Sequence, residues 1–278
     1  MSVSRNARGT LLVLGLSLAA AAFAQAQPQE EFKPQVGQAG KDVVWVPTSQ
    51  ALVDRMLDMA KLTPNDFLMD LGSGDGRTVI TAAKRGAHAM GIEYNPKMVD
   101  LSRKNAAAAG VSDRAQFTRA DLFETDFSKA TVITMFLLPS INVKLRPKIL
   151  DLKPGTRVVS NSFTMGDWQD DETQTVDSTQ GCTTYCTAHL WIVPAKAQGT
   201  WKLPQGELTL KQEFQMLSGT LATGGRNIAI ANGRLHGDQI SFVADGAQYS
   251  GRVTGGLMEG TVKSKGGTTK FQANRTGT

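Results

Sequence analysis

The chain has 278 residues, 41% hydrophobic and 20% charged, with 28 Gly, 10 Pro and two cysteines. That is ample for a large core, and the proportions exclude a disordered, collagen-like or polytopic membrane chain. The net charge of +5 is dispersed: Arg5 and Arg8 at the start, ten basic against five acidic residues over 196–278, and a slight acidic excess between. No basic run carries interleaved aromatics, so no nucleic-acid partner is predicted. Two cysteines and three scattered histidines offer no zinc cluster, and no metal site is predicted.

Arg5 and Arg8 precede an apolar run, Leu11 to Ala24, that ends in small residues at A-x-A spacing. That is the pattern of a cleavable secretory signal peptide over residues 1–26. Fourteen helical residues would rise about 21 Å, short of a hydrocarbon core of about 30 Å. The mature chain is therefore expected outside the cytoplasm, in the periplasm, with no transmembrane segment once the signal is removed. Residues 27–45, rich in Gln, Gly and Pro near their start, are expected to be a flexible leader.

From Thr48 to Pro194 helical and strand-like stretches alternate. Helices are predicted over 49–61, 78–85, 98–109 and 143–152. Strands are predicted over 67–69, 89–92, 115–119, 131–136 and 156–162. Such alternation with short connections predicts a parallel sheet covered on both faces. In an exported protein Cys182 and Cys186 invite pairing, but only if the chain turns, since an extended strand would hold their Cα atoms about 13 Å apart. Gly181 and Thr183-Thr184 permit such a turn, so a disulfide and two inert thiols both remain open.

Beyond Gly199 the texture changes: 15 of the 28 glycines fall in residues 196–278, and the helical period disappears. A weak unit recurs, Gly followed two residues later by Leu or Val, at Gly219, Gly233, Gly251 and Gly260. This predicts a second domain, a small antiparallel barrel or sandwich, with Trp201, Phe214, Phe242, Tyr249 and Phe271 as its core.

The chemistry concentrates in Asp70-Leu71-Gly72-Ser73-Gly74-Asp75-Gly76-Arg77, directly after a strand and before a helix. Glycines let the backbone approach a ligand closely, and the helix start adds free N–H donors. Arg77 stands where the dinucleotide fingerprint wants its third Gly, so this is a different loop. Glu93 ends the second strand, where a carboxylate can accept both hydroxyls of a ribose. Asp121 follows the third strand, where it can accept from an adenine amino group while Leu122 holds the ring; Asp121 as a helix cap is the plainer alternative.

These segments, with Gly91-Ile92-Glu93-Tyr94-Asn95-Pro96 and Ala120-Asp121-Leu122, resemble the cofactor motifs of class I S-adenosylmethionine-dependent methyltransferases. Val46-Pro47, Phe136 through Ser140, Val158-Val159-Ser160 and Gly166-Asp167-Trp168 narrow the resemblance to the mitochondrial lysine methyltransferases of the ATP-synthase c-subunit and the adenine nucleotide translocase. The resemblance implies a Rossmann-like, seven-stranded α/β domain over residues 46–195, its last strand antiparallel near His189 to Val193. It implies S-adenosyl-L-methionine as cofactor. Asp70, Gly72, Ser73, Gly74 and Gly76 would hold its methionine part, Glu93 and Tyr94 the ribose side, and Asp121 with Leu122 the adenine. The signal segment and the glycine-rich tail depart from that family, which leaves the acceptor open.

Phe136, Leu137, Pro139 and Ser140 are expected to line the acceptor channel, with Pro139 fixing the turn; Phe136 and Leu137 as core, and Ser140 as a helix cap, are the alternatives. A protein lysine is the favoured acceptor. A small or lipid-like acceptor, or a non-catalytic exported binding protein on a methyltransferase scaffold, are the competing readings. The tail would either cover the catalytic domain or bind an envelope partner.

Overall fold

The computed structural model describes residues 1–3 and 32–277. The signal peptide expected over 1–26 lies, apart from its first three residues, outside them.

The first sheet has seven strands: β1 (Phe67–Leu71), β2 (His88–Glu93), β3 (Ala115–Arg119), β4 (Val132–Met135), β5 (Arg157–Asn161), β6 (Glu172–Thr175) and β7 (Thr187–Ile192). Their order is β3-β2-β1-β4-β5-β7-β6. The first five are parallel, and β7 runs antiparallel to both its neighbours. The carboxyl ends of β1 to β5 therefore share one edge, and the chain enters β7 at that same edge. β6 carries no apolar side chain, which is why no strand was expected there.

Four helices cover the sheet: α1 (Gln50–Met59), α2 (Arg77–Lys84), α3 (Pro96–Ala108) and α4 (Pro139–Leu150). Alternate strand residues feed two cores. Leu68, Ala89, Val132 and Val159 meet α1 and α2 on one face. Met69, Ile92, Ile133 and Val158 meet Ile141, Leu145 and Ile149 of α4 on the other. Helix α4 begins four residues before the expected start, because Pro139 occupies its first turn, where a missing N–H costs nothing.

Residues 34–45, part of the expected flexible leader, are a built element. Gly37 N donates to Trp45 O and Trp45 N to Gln38 O, both at 2.9 Å, pinching the segment into a hairpin-like strap. Cys182 and Cys186 form a disulfide across a turn, with their Cα atoms 5.7 Å apart.

The remaining chain is all β: β8 (Gly199–Leu203), β9 (Gly206–Glu213), β10 (Met216–Thr223), β11 (Arg226–Ala229), β12 (Ala231–His236), β13 (Gln239–Ala244), β14 (Ala247–Thr254), β15 (Leu257–Ser264) and β16 (Gly267–Gly277). The sheet closes through the β9–β10 pairing, giving an eight-stranded antiparallel barrel with β11 as a spur on β10. Closure decides between the barrel and the sandwich left open by the sequence. The recurrent glycines have a steric cause: a Cβ on Gly219, Gly233, Gly251 or Gly260 would collide with a carbonyl of the adjoining strand. Two residues on, Leu221, Leu235 and Val253 point into the filled interior.

Trp201, Phe242, Tyr249 and Phe271 form the barrel core as expected, but Phe214 does not. It sits at the β9–β10 turn and stacks on Trp168 of the first domain, centroids 5.9 Å apart. A turn residue points outward from a barrel, so its apolar ring is buried only against a neighbour.

Candidate active site

The strand ends, the glycine loop and the strap enclose a cavity of about 490 Å³, within the usual range for small-molecule sites. Asp70, Gly72, Ser73, Gly74, Glu93, Tyr94, Asp121, Leu122, Phe136 and Leu137 all line it. Gly76, Pro139 and Ser140 do not.

The glycine loop is held in the left-handed region, with φ of +80° at Gly72, +54° at Gly74 and +83° at Gly76. A Cβ at Gly74 would lie 2.6 Å from Trp45 Nε1 of the strap. At Gly76 it would meet Phe117 Cζ at 2.7 Å, so this glycine shapes the helix start from beneath rather than facing the cavity. Ser102 Oγ donates to Gly74 O at 2.8 Å and Asn105 Nδ2 to Asp75 O at 2.9 Å, fixing the loop from α3.

Glu93 spans two turns: Oε2 accepts from Gly74 N at 3.0 Å and Oε1 from Asn95 N at 2.9 Å. Its rotamer is thereby set, with further lone pairs for hydroxyl donors. Asp121 Oδ1 accepts from Phe123 N at 2.9 Å, and its other oxygen pairs with Lys41 of the strap. The Lys41 hydrogen bond, helped by the Phe123 N–H, keeps this carboxyl below the usual range. Asp121 caps a turn, and none of the four helices starts there. Lys41 also lies 4.9 Å from the Tyr94 ring centroid.

Asp70 is buried at the end of β1 and accepts from Thr134 Oγ1 at 2.7 Å. Burial raises its pKa to about 7; Thr134 opposes the shift, and Glu93 and Asp75 add to it. No lysine or arginine pairs with it among the described residues.

On the other flank of β1, Phe136 follows β4, Phe163 follows β5 and Tyr185 precedes β7. Their ring centroids lie 5.2–6.0 Å apart, and all three line the cavity. Leu137 is 3% exposed, its side chain forming the floor against the glycine loop. Pro139 and Ser140, expected in the channel, instead open α4 and face outward; Leu138 is the N-cap, so Ser140 is no cap either. Phe163, Tyr185 and the strap were missed from sequence. Trp45, a large aromatic in a polar segment, was the available signal for the strap.

The cradle fits S-adenosylmethionine. A buried carboxylate lacking a cationic partner among the described residues suits its ammonium, side-chain-free glycines allow close approach, and Glu93 and Asp121 are two further carboxylates that could accept from hydroxyl or amino donors. The methyltransferase model of the ANTKMT type matches residues 70–172. A protein-lysine N-methyltransferase from Saccharolobus islandicus is 45% identical over 133 residues, spanning 47% of this chain and 83% of the relative. The chain belongs to this methyltransferase family. The lysine N-methyltransferase of the ATP-synthase c-subunit from Mus musculus is 37% identical over 130 residues, which span 46% of this chain and about half, 52%, of that protein. A solved structure described as an RNA methyltransferase from Salinibacter ruber with S-adenosyl-L-homocysteine is 48% identical. It covers 54% of this chain and 95% of its own, with a TM-score of 0.51. This methyltransferase therefore has the fold, cradle and relatives of an S-adenosylmethionine-dependent enzyme.

Proposed function

We propose that this methyltransferase N-methylates a lysine of a protein exported with it to the cell envelope. The observation that carries the reading is the 45% identity to a protein-lysine N-methyltransferase across most of that relative's length. The rim of the cavity agrees with it: Val44, Tyr94, Leu138 and Tyr185 are each at least 43% exposed and give a protein segment an apolar landing. The export half of the proposal rests on the N-terminal sequence pattern alone.

When bound, S-adenosylmethionine supplies a methyl already made electrophilic by its sulfonium. The residues then have to place a nucleophile in line with the S–CH₃ bond, a proximity effect. A lysine of ordinary pKa about 10.4 must first lose a proton, and an apolar mouth beside a positive centre favours the neutral amine. Its lone pair would form the N–C bond as the C–S bond opened with its electron pair left on the departing thioether, and the product ammonium would release a proton to water.

The test is incubation of the purified chain with methyl-labelled cofactor and an envelope extract, followed by mass spectrometry. Label on lysine in a protein band, abolished by Glu93→Ala, supports the reading. Label only in organic-soluble material or only in RNA overturns it; the second outcome would follow the description of the Salinibacter ruber structure.

A further inference from the structure

The cofactor cradle leaves the disulfide without a task, yet it encloses a residue of the cavity. Cys182 and Cys186 bracket Tyr185, which lies at φ +54°. A bulky residue in the left-handed region is costly. Burial does not repay that cost, because Tyr185 is 47% exposed. The bridge closes the turn in which Tyr185 takes this conformation, drawing together Cα atoms that an extended chain would hold about 13 Å apart to 5.7 Å. Both ends of the turn are anchored: Cys182 is 2% exposed within the core, and Val176 N donates to Cys186 O at 2.9 Å.

Its ring completes a surface. Tyr185 meets Phe136 edge-on at 5.2 Å and Phe163 at 6.0 Å, and all three border the cavity on the flank away from Glu93 and Asp121. With the glycine loop, Glu93 and Asp121 taken up by the cofactor, this flank is the part of the cavity left for an acceptor approaching the methyl in line. Of the cavity's basic side chains, Arg77 is tied to Asp75 and Lys41 stands on the Asp121 flank, away from these three rings.

We propose that Phe136, Phe163 and Tyr185 form the wall that holds the acceptor's amino group, and that the Cys182–Cys186 bridge sets the Tyr185 ring in that wall. The accepting nitrogen would gain positive charge as the methyl arrives, and aromatic faces stabilise the alkylammonium so formed. Substrate touches Tyr185; the cysteines are positioning residues. The inference rests on the lysine reading for the identity of the acceptor, but its test does not need turnover.

The purified chain, loaded with S-adenosylhomocysteine, is titrated with Nα-acetyl-Nε-trimethyl-lysine methylamide by calorimetry. Wild type binds, Tyr185→Phe binds equally, and Tyr185→Ala binds about tenfold more weakly. Cys182→Ser/Cys186→Ser, and wild type reduced with a phosphine, show a similar loss. Adding Tyr185→Ala to the cysteine pair costs nothing further, because both changes remove one interaction. S-adenosylhomocysteine affinity stays within about twofold throughout, which separates this effect from misfolding; if the double serine variant does not fold, the reduced wild type gives the answer. Absence of binding by wild type, undiminished binding by Tyr185→Ala, or undiminished binding after reduction overturns the proposal. Tyr185-dependent binding with no lysine labelled in the extract would sink the lysine function and leave the wall standing.

Discussion

Thr134 donates its hydroxyl across the β1–β4 pairing to the Asp70 carboxylate at 2.7 Å, and that bond opposes every other influence on the acid. Burial and the neighbouring carboxylates win, leaving Asp70 with a pKa of about 7. Because the folded value is raised, the ligand-free protein loses stability as pH climbs from about 4, the unfolded value, to about 7, where the folded acid titrates. Asp70→Asn is expected to melt higher than wild type, by a margin that widens across that window and is flat above it.

Cofactor binding is expected to have the opposite slope. An ammonium beside Asp70 favours the carboxylate, so affinity for S-adenosylhomocysteine rises with pH up to about 7 and then levels. Calorimetry near pH 6 in buffers of different ionisation enthalpy should register release of up to about one proton. Asp70→Asn should bind weakly with no such slope.

Gly74 and Gly76 fail differently when given a methyl group. Gly74→Ala drives a Cβ into Trp45 Nε1 and displaces the strap, so affinity for S-adenosylhomocysteine should fall sharply, with about 1 kcal/mol of stability lost to the left-handed backbone. Gly76→Ala pushes against Phe117 and Ser102 inside the fold, and a loss of about 2 kcal/mol in denaturant unfolding is expected.

Lys41 occupies the carboxylate assigned to adenine, so ligand entry must break that pair. Half-exposed ion pairs are weak, and Lys41→Met should tighten S-adenosylhomocysteine binding by no more than about fivefold, an effect that high salt mimics. Loosened binding would mean that Lys41 holds the ligand instead.

Phe214 stacks on Trp168 and lies 5.0 Å from the Arg146 guanidinium. Phe214→Ala should cost about 2 kcal/mol and split the unfolding of barrel and sheet into two transitions, seen by comparing fluorescence with circular dichroism.

That Asp70 to Gly74, Glu93 and Asp121 would share one cavity was legible because the signal is local: the first are one turn, and the other two each sit at a strand end. Phe163 and Tyr185 were not, since only the order β4-β5-β7 brings residues from positions 136, 163 and 185 together. The strap was hidden by composition, as its polar residues gain order from Trp45 and Lys41 reaching the cavity. Phe214 was misassigned because its strand alternates correctly, and only its position at the turn sends it out of the barrel.

The junction between sheet and barrel is braced at separate points. Besides Phe214, Asp171 accepts from Ile192 N at 2.9 Å and from Arg234 at 2.7 Å, Gln215 donates to Gln169 O at 2.8 Å, and Ala195 N to Gly237 O at 2.8 Å. These attachments gather at the end of the barrel formed by the β9–β10 turn, Arg234 and Gly237, and together they oppose swivelling of the two halves. Whatever immobilises the barrel also fixes the bearing of the catalytic mouth, and a docking site on one half becomes an aiming device for the other.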